Sequence, residues 1–76
     1  MNSKEIAAQI IKELKSTGER PLHEVIYLIG EKIPVKDFDN FRARARRAAT
    51  TLEAQGVIEI NEGKKRGNLI YLIKLI

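Results

Sequence analysis

Apolar residues recur three and four positions apart through the first part of the chain. Ile6, Ala7, Ile10, Ile11 and Leu14 form one stripe, which predicts a helix over 3–16. Ser3 is the expected N-cap, Gly18 suits the position past the end, and Lys4, Glu5, Lys12, Glu13 and Lys15 lie off the stripe. A connector, Glu19-Arg20-Pro21-Leu22, follows, and Pro21 fits an edge strand or a helix start. Val25, Ile26, Leu28 and Ile29 predict a second helix over 23–32, which Ile33-Pro34 should stop. Residues 35–38 form a turn into a third helix, 38–55, capped by Asp37 or Asp39. Its apolar face is Phe38, Phe41, Ala45, Ala48, Ala49 and Leu52, and Gly56 ends it.

Beyond Gly56 the period shortens to that of strands. Residues 57–61 and 69–75 predict a hairpin, with Glu62-Gly63-Lys64-Lys65-Arg66-Gly67-Asn68 as an exposed tip between two glycines. Leu69, Tyr71, Ile73 and Leu75 would fill one face of the last strand, and Ile70, Leu72 and Ile76 the other. Ile58 is placed opposite the face of Val57 and Ile60. The predicted class is α+β: three helices, a C-terminal β-hairpin, and a short third strand at Arg20–Leu22, in one domain over 1–76.

Composition narrows the chemistry. With 76 residues, the chain lies near the lower limit for folding on its own core. Cysteine is absent and His23 is the sole histidine, so no thiolate or histidine metal site is expected, and no cofactor. Ser3 and Ser16 have no histidine nearby to activate them, and Glu24, Glu31 and Glu53 read as solvated helix charges rather than an acid–base pair. The chain is expected not to be an enzyme, with no small-molecule substrate evident. No apolar run reaches the roughly 20 residues a membrane helix needs, so no membrane partner is expected and the location is read as cytoplasmic.

Charge is distributed unevenly. Residues 1–37 carry six basic and six acidic side chains; residues 38–76 carry eight and four, which accounts for the whole net charge of +4. A neutral half joined to a basic half points to a polyanion. The basic residues form two clusters. One is Arg42-Ala43-Arg44-Ala45-Arg46-Arg47 in the third helix. At about 100° per residue, Asn40, Ala43, Arg44, Arg47, Thr50 and Thr51 fall opposite the apolar face, while Arg42 and Arg46 flank it. Small residues beside the arginines allow close approach to another surface. A guanidinium fork can bind guanine O6 and N7 or bridge phosphate oxygens. No glutamate stands four residues on from any of the four arginines to offset their repulsion. The second cluster is Lys64, Lys65 and Arg66, suited to phosphates or the minor groove. Tyr27 and Tyr71 read as packing residues and His23 as a surface or capping residue.

In element order, and in the segment Thr51-Leu52-Glu53-Ala54-Gln55-Gly56-Val57-Ile58-Glu59, the chain resembles winged helix-turn-helix DNA-binding regulators. That resemblance implies a recognition helix over 38–55, a wing with its tip at 62–68, and transcriptional regulation by operator occupancy. The stretch from Ile33 to Asp39 is longer than the tight turn usual before a recognition helix. The expected partners are therefore double-stranded DNA and a second copy of the chain, since a two-fold partner would cover the apolar outer sheet face. A protein-interaction winged helix and an RNA-binding or chromatin module are the alternatives the residues leave open.

Overall fold

A computed structural model describes residues 2–32 and 35–76. The order is α1 (Ser3–Thr17), β1 (Arg20–Pro21), α2 (Leu22–Lys32), α3 (Phe38–Ala54), β2 (Ile58–Lys65) and β3 (Asn68–Leu75). The expected stop at Ile33-Pro34 lies outside the described residues.

Two of the helix starts, those of α1 and α3, have a side-chain cap. Asn2, not Ser3, caps α1: its side chain accepts from the Glu5 N–H at 2.9 Å, and the Glu5 carboxylate accepts in return from the Asn2 N–H. This reciprocal box satisfies two backbone donors that would otherwise lack partners. Asp37 caps α3 by accepting from the Asn40 N–H at 3.2 Å. At the other end of α3, Gly56 adopts φ +76°, the Val57 N–H donates to the Leu52 carbonyl and the Gly56 N–H to that of Glu53. This is a Schellman closure, which turns the chain directly from α3 toward β2.

One core joins the helices to the base of the sheet. Ile6, Ile10 and Leu14 come from α1, and Leu22, Val25, Ile26 and Ile29 from α2. The other contributors are Phe41, Ala45, Ala48, Ala49 and Leu52 from α3, and Ile58 and Ile73 from the sheet. The α3 contribution is largely alanine, which lets α1 pack closely along it. Glu13, placed off the apolar stripe of α1 by its spacing, is buried and paired with Lys32 of α2. A buried carboxylate needs such a partner, and this one ties the end of α2 to α1.

The sheet is antiparallel with strand order β1-β3-β2. Arg20 pairs with Ile73 and Pro21 with Leu72, so the proline sits on an edge strand where its missing N–H is tolerated, and Leu22 already belongs to α2. Between β2 and β3, Ile58 faces Leu75 and Ile60 faces Ile73. Directly paired residues share a face. Ile58 therefore lies on the inner face with Ile60, not opposite it as expected, and is fully buried. The outer face carries the Glu59–Lys74 ion pair at 3.4 Å, Asn61, and the half-buried Ile70 and Leu72.

The hairpin is longer than its charges suggested. Strand pairing continues to Lys65 and Asn68, so the turn is only Arg66-Gly67, not a loop over 62–68. Both turn residues have positive φ, 54° and 81°, the pattern of a two-residue type I′ turn. Gly63 is a strand residue; a Cβ there would stand 3.1 Å from the Leu72 side chain, which leans over it. The molecule exposes 5239 Å², against about 4,700 Å² for a compact monomer of 8.6 kDa. The exposed outer hairpin, Lys64 to Leu69, contributes to that area.

The Schellman turn gives a direct test. Gly56→Ala forces a Cβ into the left-handed region at a cost of about 1–2 kcal/mol, with open space around it. A denaturant melt should show that loss; unchanged stability would mean that the turn does not need glycine.

Candidate nucleic-acid interface

The buried alanine face of α3 fixes where its polar residues point. Ala45 and Ala49 are fully buried, so Asn40, Arg42, Ala43, Arg44, Arg46, Arg47, Thr50 and Thr51 are all exposed, as expected. The helix has 17 residues and is about 26 Å long, with its arginines in the N-terminal and middle turns. Thr50 donates its hydroxyl to the Arg46 carbonyl at 3.0 Å, which uses its proton within the helix.

The arginines differ in their surroundings. Arg42 contacts Asp39, one turn back, at 3.3 Å, a pair spaced i,i+3 rather than i,i+4. Both side chains are well exposed, so the pair is weak and can open to another anion. Arg42 and Arg46 line a groove that the outer half of β3 closes on its other side. Arg44 and Arg47 stand on exposed helix surface.

The second basic cluster is arranged by strand alternation. Lys64 and Lys65 are consecutive in β2, so they project to opposite faces of the hairpin, and Arg66 occupies the turn itself. Lys64 shares its face with Leu69, and Lys65 with Asn68. The three cations therefore ring the hairpin end instead of forming one patch. Lys65 and Arg66 also border a shallow hollow reaching His23 at the start of α2, where His23 is exposed.

One carboxylate fixes the helix relative to the hairpin. Glu53, read from sequence as solvated, accepts from the Ile60 N–H at 3.3 Å. β2 is an edge strand, so this N–H points away from β3 and α3 supplies its acceptor. Glu24 is likewise paired, with Arg20 at 3.8 Å, and Glu31 is exposed.

The groove itself went unseen in the sequence. It measures about 690 Å³ and is walled by α2, the start of α3 and β3. Tyr27, Phe38, Leu69 and Tyr71 all line it, and each is at least 37% exposed. Tyr27 and Tyr71, expected to be packing residues, are 57% and 40% exposed. Phe38 stands edge-on to Tyr27 at 6.2 Å and tilted against Phe41 at 5.9 Å, so buried Phe41 supports the row of rings from below. Gly30 makes room for it: a Cβ there would come within 2.8 Å of the Phe38 ring.

Among the described residues no cluster of three His, Asp or Glu side chains could hold a metal, and no helix is long and apolar enough to cross a membrane. Searches against protein-family models, curated proteins and solved structures return no match to the chain.

Proposed function

We propose that this is a winged helix-turn-helix protein that binds double-stranded DNA in a sequence-dependent way and regulates transcription by occupying an operator. In this reading α3 is the recognition helix, the β2–β3 hairpin is the wing and β1 is the short third strand. One observation carries the reading: Arg42 and Arg46 of α3 wall the same groove as Leu69, Ile70 and Tyr71 of β3, the strand that leads out of the basic Lys64–Arg66 end of the hairpin. A helix that presents arginines beside a projecting basic hairpin can enter the major groove while the hairpin follows the flanking backbone. About 12 Å of groove width admits only the part of α3 that carries Arg42, Arg44, Arg46 and Arg47.

Two roles follow. Arg44 and Arg47 are assigned to base edges. Lys64, Lys65 and Arg66, spread around the hairpin end, are assigned to phosphates on either side of it. Arg44→Ala or Arg47→Ala should cost about 1–3 kcal/mol on the preferred site and relax preference at one base pair. Replacing Lys64, Lys65 and Arg66 together with alanine should weaken binding on every duplex and lower the salt slope by about one unit per lost phosphate contact. Both are read by fluorescence anisotropy on a selected site and on scrambled duplex across salt concentrations. Equal, small losses on all sequences from the α3 variants would reduce those arginines to phosphate contacts. An unchanged slope for the triple variant would remove the hairpin from the interface.

The protein is further proposed to bind as a homodimer. Ile70 and Leu72 are only half-buried on the outer sheet face, and Ile76, past the end of β3 and separated from Leu72 by the Glu59–Lys74 pair, is 80% exposed. A two-fold contact there would bury apolar surface that so small a chain otherwise leaves wet, and would set two α3 helices on half-sites about 34 Å apart. Sedimentation at micromolar concentration should give twice the 8.6 kDa chain mass, and Leu72→Lys should return it to one. A monomer mass for the unaltered protein would contradict the dimer.

A further inference from the structure

We infer that the aromatic groove beside the α3 arginines is a binding site for an unpaired nucleotide, so that the protein prefers duplex DNA interrupted by an extruded base. The inference rests on the DNA-binding reading above and adds a second recognition element to it.

Exposed apolar surface on this molecule is concentrated, not scattered. Five large hydrophobic side chains are exposed among the described residues: Tyr27, Phe38, Leu69, Tyr71 and Ile76. Four of them line the one groove, which includes three of the chain's four aromatic residues. The chain spends scarce ring surface here and leaves it in contact with water. Phe38 costs α2 a glycine at position 30, because any side chain there would strike the ring. Scattered exposed apolar residues are ordinary, but four converging on a concave surface of about 690 Å³ form a ligand-sized site.

The rim selects the ligand. Arg42 and Arg46 stand one helical turn apart on the α3 wall, and the rings stand on the α2, α3 and β3 walls. The matching ligand has a flat apolar body and an anionic group beside it, which is the chemistry of a nucleobase on its phosphate. Bases stack on exposed tyrosine and phenylalanine rings with little regard for sequence, and guanidinium forks bridge phosphate oxygens. The source of the nucleotide is set by position. The groove opens between the helix assigned to the major groove and the hairpin assigned to the backbone, where a DNA strand would pass. A paired base cannot leave the stack without an energetic cost, whereas a bulged base already lies outside it.

The test uses the full chain and two duplexes of identical sequence. One is fully paired; the other carries a single unpaired, fluorescent adenine analogue in the middle of the binding site. Affinity is read by anisotropy and stacking by quenching of the analogue. The bulged duplex should bind roughly 5- to 150-fold tighter, the range expected for one stacked base, with its fluorescence quenched on binding. Tyr27→Ala combined with Tyr71→Ala should abolish both the preference and the quench while leaving affinity for the paired duplex unchanged. Tyr27→Leu, which keeps apolar bulk but removes the ring, should lose most of the quench. Both tyrosines are exposed, and circular dichroism checks that each variant folds. Equal binding of the two duplexes by the unaltered protein would overturn the inference and leave the duplex reading standing. A preference that survives loss of the tyrosines would trace to the flexibility of bulged DNA and would equally overturn it. Binding of neither duplex would overturn the DNA reading and this inference together.

Discussion

The packing of α3's alanine face against the rest of the core is the constraint on which the molecule depends. Ala45, Ala48 and Ala49 bring α3 close to α1 and are almost wholly removed from water. Once that face is fixed, helical geometry leaves the arginines of 42–47 no direction but outward. Larger side chains at these three positions would push the helices apart; polar ones would place unsatisfied groups in the core. The charged surface thus follows from what the alanines bury.

The hairpin is positioned by the same helix. The turn at Gly56 sends the chain from α3 straight into β2, and Glu53 reaches across to the Ile60 N–H. Ile58 and Ile73 root the sheet in the core. Beyond them the side chains of the strands are largely exposed, so lysines, a glutamate, Leu69 and Tyr71 can alternate there, beside the groove that α2 and α3 wall on its other side. The helix and hairpin consequently hold a set angle, and the groove between them is a product of the core packing rather than of a separate binding domain.

Much of this was readable in the residue pattern. The three helices, the Asp37 cap and the glycine stop at 56 followed from apolar spacing and capping chemistry. So did the antiparallel hairpin and the short strand at Arg20. The misses have physical causes. Asn2 and Glu5 formed a complete capping box, but Ser3 is also a good cap, and only the backbone chooses between them. The charged run from Glu62 to Arg66 looked like a loop because a buried strand excludes charge; a strand extending past its core does not. Gly63 seemed to mark the turn, yet it is a strand residue over which the Leu72 side chain leans. The pairing of Glu13 with Lys32 and the gathering of Tyr27, Phe38, Leu69 and Tyr71 link residues distant in the chain. No local pattern encodes such meetings.

The central claim is that one surface, made of the exposed side of α3 and the hairpin end, meets duplex DNA. Amide chemical shifts recorded while duplex DNA is added map that surface residue by residue. Shifts should concentrate at residues 40–51 of α3 and 62–69 of the hairpin. The solvent side of α1, around Lys4, Lys12 and Lys15, should stay unmoved although it too is exposed and carries positive charge. Shifts centred on α1, or none at all at low salt, would contradict the claim.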